Sequence, residues 1–256
     1  MTTIKTQEEI KILRQGGKKL ARILEALGAF VKVGVSTDEI NKYADELCES
    51  EKVVPAFLNY KPSGAARKYP ASVCVSINDE IVHGIPNENP KVIKEGDIVS
   101  LDMGIIYKKL ITDSAITVCV GEVDEAGRIL VERTEKALLE GINAAVGGNT
   151  TGDIGFAISE FLRPFGYGIV DELCGHGVGY KVHEDPVVPN FGQKKRGAVL
   201  KPGMVIAIEP MVNEGTKNII LDSDGYTYRT ADGKRSAHFE HTIAITEGKP
   251  VILTSL

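Results

Sequence analysis

No apolar run in the 256-residue chain approaches the roughly 20 residues that a membrane-spanning helix needs. A helical membrane protein is therefore excluded. The first residues, Met1-Thr-Thr-Ile-Lys-Thr-Gln-Glu-Glu, are polar and acidic, so no secretory signal is expected there. The four cysteines, Cys48, Cys74, Cys119 and Cys174, are widely spaced and form no CxxC pair. That spacing argues against a zinc knuckle or a disulfide framework and fits reduced thiols in a cytoplasmic protein. Basic residues are not in excess: the net charge is −5. A broad nucleic-acid-binding surface is not expected from such a balance. There is no G-x-S-x-G nucleophile elbow and no Walker motif, and Gly175-x-Gly177-x-Gly179 lacks the spacing of a dinucleotide fingerprint. What remains is an ordinary globular composition, 43% hydrophobic and 25% charged. Its length suits one large domain or two fused halves.

The chain reads as two similar stretches. Thr6 and Glu9 have the spacing of a capping box ahead of Ile10, Leu13, Leu20, Ile23, Leu24 and Leu27, which recur at helical intervals. A second helix follows Ser36 and Glu39. Ala71 to Ile77 alternates as a strand, and Ile98–Ile106 and Leu110–Val120 form a predicted hairpin turning at Tyr107-Lys-Lys109. The order then restarts: a helical pattern over Glu125–Val146, a capping box at Thr150 and Asp153, and strand-like runs at Met204–Ile208, Asn218–Leu221 and Phe239–Ile245. Three echoes keep their order in both parts. Val35-Ser-Thr-Asp-Glu-Ile40 pairs with Asn149-Thr-Thr-Gly-Asp-Ile154. Cys74 with Val82-His83-x-x-Pro86 pairs with Cys174 and Val182-His183-x-x-Pro186. Gly96-Asp-Ile-Val-Ser-Leu-Asp102 pairs with Gly203-Met-Val-Ile-Ala-Ile-Glu209. A diverged duplication explains them best, with two helix–helix–strand halves sharing one sheet in an α+β arrangement.

The chemistry is carried by acids in apolar strands. Asp102 ends Ile98-Val-Ser-Leu, and Asp113 lies eleven positions on, where a hairpin can bring the two opposite one another. Glu209 closes Val205-Ile-Ala-Ile208, and Glu240 lies in Phe239-Glu-His-Thr-Ile243. Each such burial costs several kcal/mol unless it is compensated, so four unrelated, satisfied carboxylates are the poorer explanation. Adjacent carboxylates require a shared proton or a cation. His176, flanked by glycines in Cys174-Gly-His-Gly-Val-Gly179, is a candidate ligand. His83 and His183 could be ligands, proton donors or substrate contacts, and spacing does not choose among these. One imidazole and four carboxylates form an oxygen-rich set suited to two divalent cations, which points to metal-assisted hydrolysis. Peptide, ester and phosphate substrates all stay open at this level.

These residues, taken together, resemble the type I methionine aminopeptidases of the pita-bread metallopeptidases. The matching pieces are Ser72-Val-Cys-Val-Ser-Ile-Asn with His83-Gly-Ile-Pro86; Gly96 to Asp102; Thr112-Asp113; Cys174 to Gly179 with His183-Glu-Asp-Pro186; Leu200-Lys-Pro-Gly-Met204 with Glu209-Pro-Met211; and Glu240-His-Thr-Ile243. They span nearly the whole chain in the family's order. The resemblance implies a single pita-bread catalytic domain over residues 1–256. Its two pseudo-symmetric halves, about 1–121 and 122–256, would surround a curved antiparallel sheet. It implies two divalent cations (Co, Mn, Fe or Zn), with Asp102 on one, His176 and Glu209 on the other, and Asp113 and Glu240 bridging. Glu209 would carry the proton of the attacking water. His183 would hydrogen-bond the carbonyl or oxyanion, and His83 would contact the substrate near the scissile amide. The substrates implied are nascent polypeptide N-termini with methionine first and a small residue second. They would be met near the ribosome by a cytoplasmic monomer that has no nucleic-acid or membrane partner.

The methionine pocket maps by the same resemblance near Phe57, Tyr60, Cys74, Val182 and Tyr226. Three departures fall around it. The chain has no tryptophan, although one is familiar at the Tyr226 position. The Lys61–Pro70 loop looks longer than in compact members. His238 stands where a neutral polar residue is expected. Three other readings compete: a pita-bread peptidase that cleaves before proline, a binding module that kept the fold and lost catalysis, and a hydrolase of a non-peptide substrate. The first usually carries an extra N-terminal domain. The second typically loses metal ligands that are all present here. The third is disfavoured by the motif order.

Overall fold

The computed structural model describes residues 2–256. Helix α1 (Gln7–Phe30) begins at the Thr6–Glu9 capping box, and α2 (Thr37–Glu51) at that of Ser36 and Glu39. Each box satisfies two backbone N–H groups that a helix start leaves unpaired. Asp124 caps α3 (Glu125–Ala144) by accepting from Gly127 N–H at 2.8 Å. At α4 (Thr151–Leu162) the Asp153 carboxylate accepts from both the N–H and the hydroxyl of Thr150.

Fifteen strands are seen among the described residues. The first half carries β1 (Val54–Pro55), β2 (Cys74–Ile77), β3 (Glu80–Val82), β4 (Ile98–Tyr107) and β5 (Leu110–Cys119). The second carries β6 (Gly168–Ile169), β7 (Gly175–Gly177), β8 (Glu184–Val188), β9 (Val205–Ile208), β10 (Met211–Asn213), β11 (Ile219–Leu221), β12 (Tyr228–Thr230), β13 (Ser236–His238), β14 (Glu240–Ala244) and β15 (Val251–Ile252). The main sheet runs β1-β4-β5-β14-β9-β7-β8, with β2 also on β4 and β15 on β14. Every pairing in it is antiparallel. Two smaller sheets, β13-β10-β6 and β11-β12-β3, complete the α+β fold.

The alternation of strand side chains sorts the two faces. Val99, Leu101, Met103 and Ile105 of β4 form one core with Leu20, Ile23, Leu24 and Leu27 of α1. Ile206 and Ile208 of β9 and Ile243 of β14 form a second core with Leu130 and Leu138 of α3 and Ile154 and Ile158 of α4. The strand registers put both sets on the same face of the sheet. Both helix pairs therefore cover that face, and the other is left to the site. Only Lys108 and Lys109 form the β4–β5 turn, because Tyr107 still pairs with Leu110. Both turn residues have positive φ, as tight hairpins require.

That turn corrects one expectation. Asp102 stands opposite Ala115, and Asp113 stands opposite Gly104. The two aspartates are diagonal neighbours on one face, not directly opposed.

Candidate metal centre

Four adjacent strands set one row of residues across the inner face. Cys74 pairs with Asp102, Asp102 with Ala115, and Ala115 with Glu240. Asp113 is two positions from Ala115 and shares its face. The methyl group of Ala115 is the smallest member of the row, and acids flank it on both sides. Side-chain hydroxyls lock this part of the sheet. Thr242 Oγ1 accepts from Asp113 N–H at 2.9 Å and donates to the Asp113 carbonyl at 2.6 Å. The Ser114 hydroxyl donates to the Glu240 carbonyl at 2.7 Å.

His176 comes from β7. A Cβ on Gly175 would lie 2.4 Å from the Ala207 carbonyl oxygen, and one on Gly177 2.1 Å from that of Asp185. Only glycine permits these backbone approaches, and they seat the imidazole deeply. His176 Nδ1 lies 3.0 Å from the Gly177 carbonyl oxygen. A carbonyl can only accept, so Nδ1 bears the proton and Nε2 keeps its lone pair. That Nε2 is 3.4 Å from Glu209 Oε1. Ligand atoms of Asp113, His176 and Glu240 all lie within 4.8 Å of one another. Asp102 and Glu209 line the same cavity.

The electrostatics of this cluster are unfavourable without a cation. Burial, and then the charge of Asp113, push the Asp102 carboxyl well above its ordinary range. Burial raises Asp113 to about 7. Glu209 and Glu240 are likewise pushed up, first by burial and then by their acidic neighbours. Burial also holds His176 down to about 3, so its ring is neutral at pH 7. Asp102 Oδ1, Asp113 Oδ1 and Glu240 Oε1 are buried and have no hydrogen-bond partner. Such orphaned acceptors are costly in a folded protein. Carboxylate oxygens converging on a free imidazole nitrogen fit the coordination needs of divalent cations. The residues present therefore fit the metal that the sequence implies.

Above this floor the cavity is walled by Phe57, Tyr60, Tyr69, Cys74, Val182 and Tyr226. His83 and His183 line it as well. The six side chains named from sequence for the catalytic and substrate-binding roles besides Glu209, and Val182 with them, all face this one cavity. His183 packs edge-on to His176 with ring centroids 4.5 Å apart. Burial lowers both His83, to about 4, and His183. Glu184 anchors the loop that carries His183. It accepts from Lys181 N–H at 2.9 Å, from the Thr3 hydroxyl at 2.6 Å and from Lys5 Nζ at 2.7 Å.

Sequence reasoning missed Tyr69 and Pro62, which also line the cavity. It also left His238 unassigned. This ring is buried among the described residues with neither nitrogen hydrogen-bonded, and its Nε2 is 3.8 Å from Glu209 Oε2. The backbone of His238 is held by Thr117, whose Oγ1 accepts from its N–H at 3.0 Å. His241 is different from the other four histidines. It neighbours Glu240 along β14, points to the opposite face and bonds Thr254 Oγ1 at 2.9 Å.

A buried acid–imidazole cluster beneath an apolar cavity fits a metal-dependent hydrolase. The chain belongs to metallopeptidase family M24, whose model matches residues 11–247. It is 46% identical over 253 residues to the methionine aminopeptidase of Aquifex aeolicus, covering 98% of each chain. It superposes on the crystal structure of methionine aminopeptidase from Thermotoga maritima with a TM-score of 0.94 at 41% identity, covering 100% of both chains. The prolidase from Pyrococcus furiosus has the same pita-bread fold with a TM-score of 0.76 at 25% identity, but only 65% of that chain is covered. Within the family, the chain therefore stands with the methionine aminopeptidases.

Proposed function

We propose that the chain removes the N-terminal methionine from nascent proteins and peptides whose second residue is small. The observation that carries the proposal is the convergence of orphaned carboxylate oxygens and the free His176 Nε2 on the floor of an apolar cavity. Asp102, Asp113, His176, Glu209 and Glu240 would hold two divalent cations. Bound there, the cations supply a Lewis acid for the scissile carbonyl and a more acidic water. Manganese, iron, cobalt and zinc all suit such ligands.

The chain's own groups do the rest. The apolar walls at Phe57, Tyr60, Cys74, Val182 and Tyr226 take the methionine side chain. Burial keeps the Cys74 thiol protonated, so it acts as an apolar wall and not as a nucleophile. Glu209 takes the proton from the attacking water and returns it to the leaving amine. His83 and His183 are neutral, and each offers one N–H to the substrate. His183 serves the carbonyl oxygen as it gains charge, and His83 serves the region of the scissile amide.

Residues 1–256 act as one unit in this reading. Asp102 and Asp113 come from the first half, about 1–121, and His176, Glu209 and Glu240 from the second, about 122–256. Neither half has a complete site. All four cysteines are free thiols and no described helix is long and apolar enough to cross a membrane. Nascent chains as substrates, and a site completed within one chain, support a cytoplasmic monomer that works near the ribosome. Peptide cleavage distinguishes this reading from prolidase activity. Met-Ala-Ser should release methionine while an Ala-Pro dipeptide stays intact, and the reverse preference would overturn the proposal.

A further inference from the structure

We propose that Arg67 is a positioning residue that latches the 61–68 segment over the methionine pocket and so sets the specificity of that pocket. The inference rests on the pocket reading above. The segment leaves and rejoins the fold at two backbone hydrogen bonds, Asn59 N–H to the Tyr69 carbonyl at 2.9 Å and Tyr69 N–H to the Tyr60 carbonyl at 2.8 Å. Between these points Pro62 lines the cavity. The segment's other hydrogen bonds are internal, from Ala65 N–H to the Pro62 carbonyl and from Lys61 Nζ to the Ala66 carbonyl. Among the described residues, every hydrogen bond it makes to the rest of the molecule runs through Arg67.

Those contacts join three separate parts of the chain. The Arg67 guanidinium is bidentate on Glu88, at 2.6 and 2.7 Å, and donates to the Asp224 carbonyl at 3.1 Å. The Arg67 carbonyl accepts from the Tyr226 hydroxyl. The guanidinium carbon also lies 5.8 Å from the Tyr226 ring centroid. Tyr226 is the cavity wall: it is 7% exposed and stands edge-on to Tyr69 at 5.2 Å. Its turn is held in place by the Asp224 carboxylate, which accepts from Tyr226 N–H at 2.7 Å and Thr227 N–H at 2.8 Å.

The Arg67 and Glu88 side chains are 40% and 41% exposed. An exposed pair adds little to global stability. Its loss should therefore be felt in the segment and in the pocket wall it holds, with the fold intact. A planar fork suits this role, and a lysine cannot reproduce it.

The test uses the full-length, metal-loaded chain with Arg67→Ala, Arg67→Lys, Glu88→Ala and Tyr226→Phe. Hydrogen exchange of the bonded Ala65 and Tyr69 amides should quicken about tenfold or more in Arg67→Ala and Glu88→Ala, with exchange in α1 and β4 unchanged. On Met-Ala-Ser, KM should rise about tenfold with kcat within about twofold, because binding is loosened without loss of the chemical groups. The preference for Met-Ala-Ser over Leu-Ala-Ser should fall by a similar factor. Tyr226→Phe should shift both readouts in the same direction, and Arg67→Lys should lie in between. Wild-type exchange in Arg67→Ala overturns the latch, whatever the activity. Quickened exchange with unchanged KM and unchanged preference overturns its role in specificity. If the wild-type chain released no methionine while exchange still quickened, the pocket reading would fail and the latch would stand.

Discussion

The Tyr60 hydroxyl lies 2.9 Å from Nδ1 of His183. Burial keeps that hydroxyl protonated and that imidazole neutral. For Nε2 to carry the proton and donate to a substrate carbonyl, Nδ1 must accept from Tyr60. In the proposed mechanism Tyr60 thus selects the useful tautomer of His183, and Tyr60→Phe should release it. We expect kcat on Met-Ala-Ser to fall by about three- to tenfold with little change in KM, the pattern for a group that acts mainly in the transition state. Steady-state kinetics at saturating metal check this. A change confined to KM would show that Tyr60 only lines the pocket.

Gly104 bears on the same pocket from the strand side. A Cβ there would lie 2.8 Å from Phe57 Cε1 and 3.2 Å from Ala56 Cβ. Gly104→Ala must displace the Phe57 ring, which lines the cavity, and overpacking of this kind costs about 1–3 kcal/mol. Melting temperature and KM for Met-Ala-Ser should worsen together. An unchanged KM would mean that Phe57 does not bound the methionine site.

Distant from the site, Glu51 ties the end of α2 to α1. It accepts from Arg22 at 2.8 and 2.9 Å and from Lys19 at 3.1 Å. These contacts, Arg22 chief among them, hold its carboxyl down to about 2 against an ordinary 4.5. A depressed folded value stabilises the fold fully above the unfolded value, and that stabilisation is lost as pH falls from about 4.5 toward 2. Glu51→Gln should therefore lower stability by about 1 kcal/mol at pH 7, a figure reduced by solvent screening at this half-buried position. By pH 3 the gap to wild type should shrink to less than about half. Urea denaturation at the two pH values gives both numbers, and a gap independent of pH would contradict the ion-pair account.

Much of this was readable from residue order. Both N-terminal capping boxes marked helix starts correctly, since a cap is a local hydrogen-bonding pattern. Acids in otherwise apolar strands marked the candidate site because burial penalises them wherever the chain goes next. The Asp102–Asp113 relationship was misread by two residues. A turn of only Lys108 and Lys109 shifts every pair in β4 and β5, and single-sequence patterning fixes turn length poorly. Tyr69 and Pro62 gave no signal at all. Their place in the wall depends on a loop closing over a distant turn at Asp224–Tyr226, which has no sequence period. His238 was noticed as unusual, but its approach to Glu209 depends on β13 crossing the inner face through Thr117.

Removal of single proposed ligands should separate function from folding. Asp102→Ala deletes a buried, unpartnered carboxyl that is unfavourable without metal, so that metal-free variant should melt no lower than the metal-free wild type, and His176→Ala should stay folded. Methionine release should fall by about a thousandfold or more, the scale expected when a group that organises the reaction is lost. Full activity in either purified, metal-replete variant would refute the ligand assignment.

The central claim, that the acid–imidazole cluster works by holding divalent cations, is tested most directly by metal titration of the stripped wild-type chain. Methionine release from Met-Ala-Ser should vanish after chelation and return as manganese, iron, cobalt or zinc is added, with binding complete by two equivalents. Full methionine release by the chelated protein, with no metal detectable in it, would contradict the account.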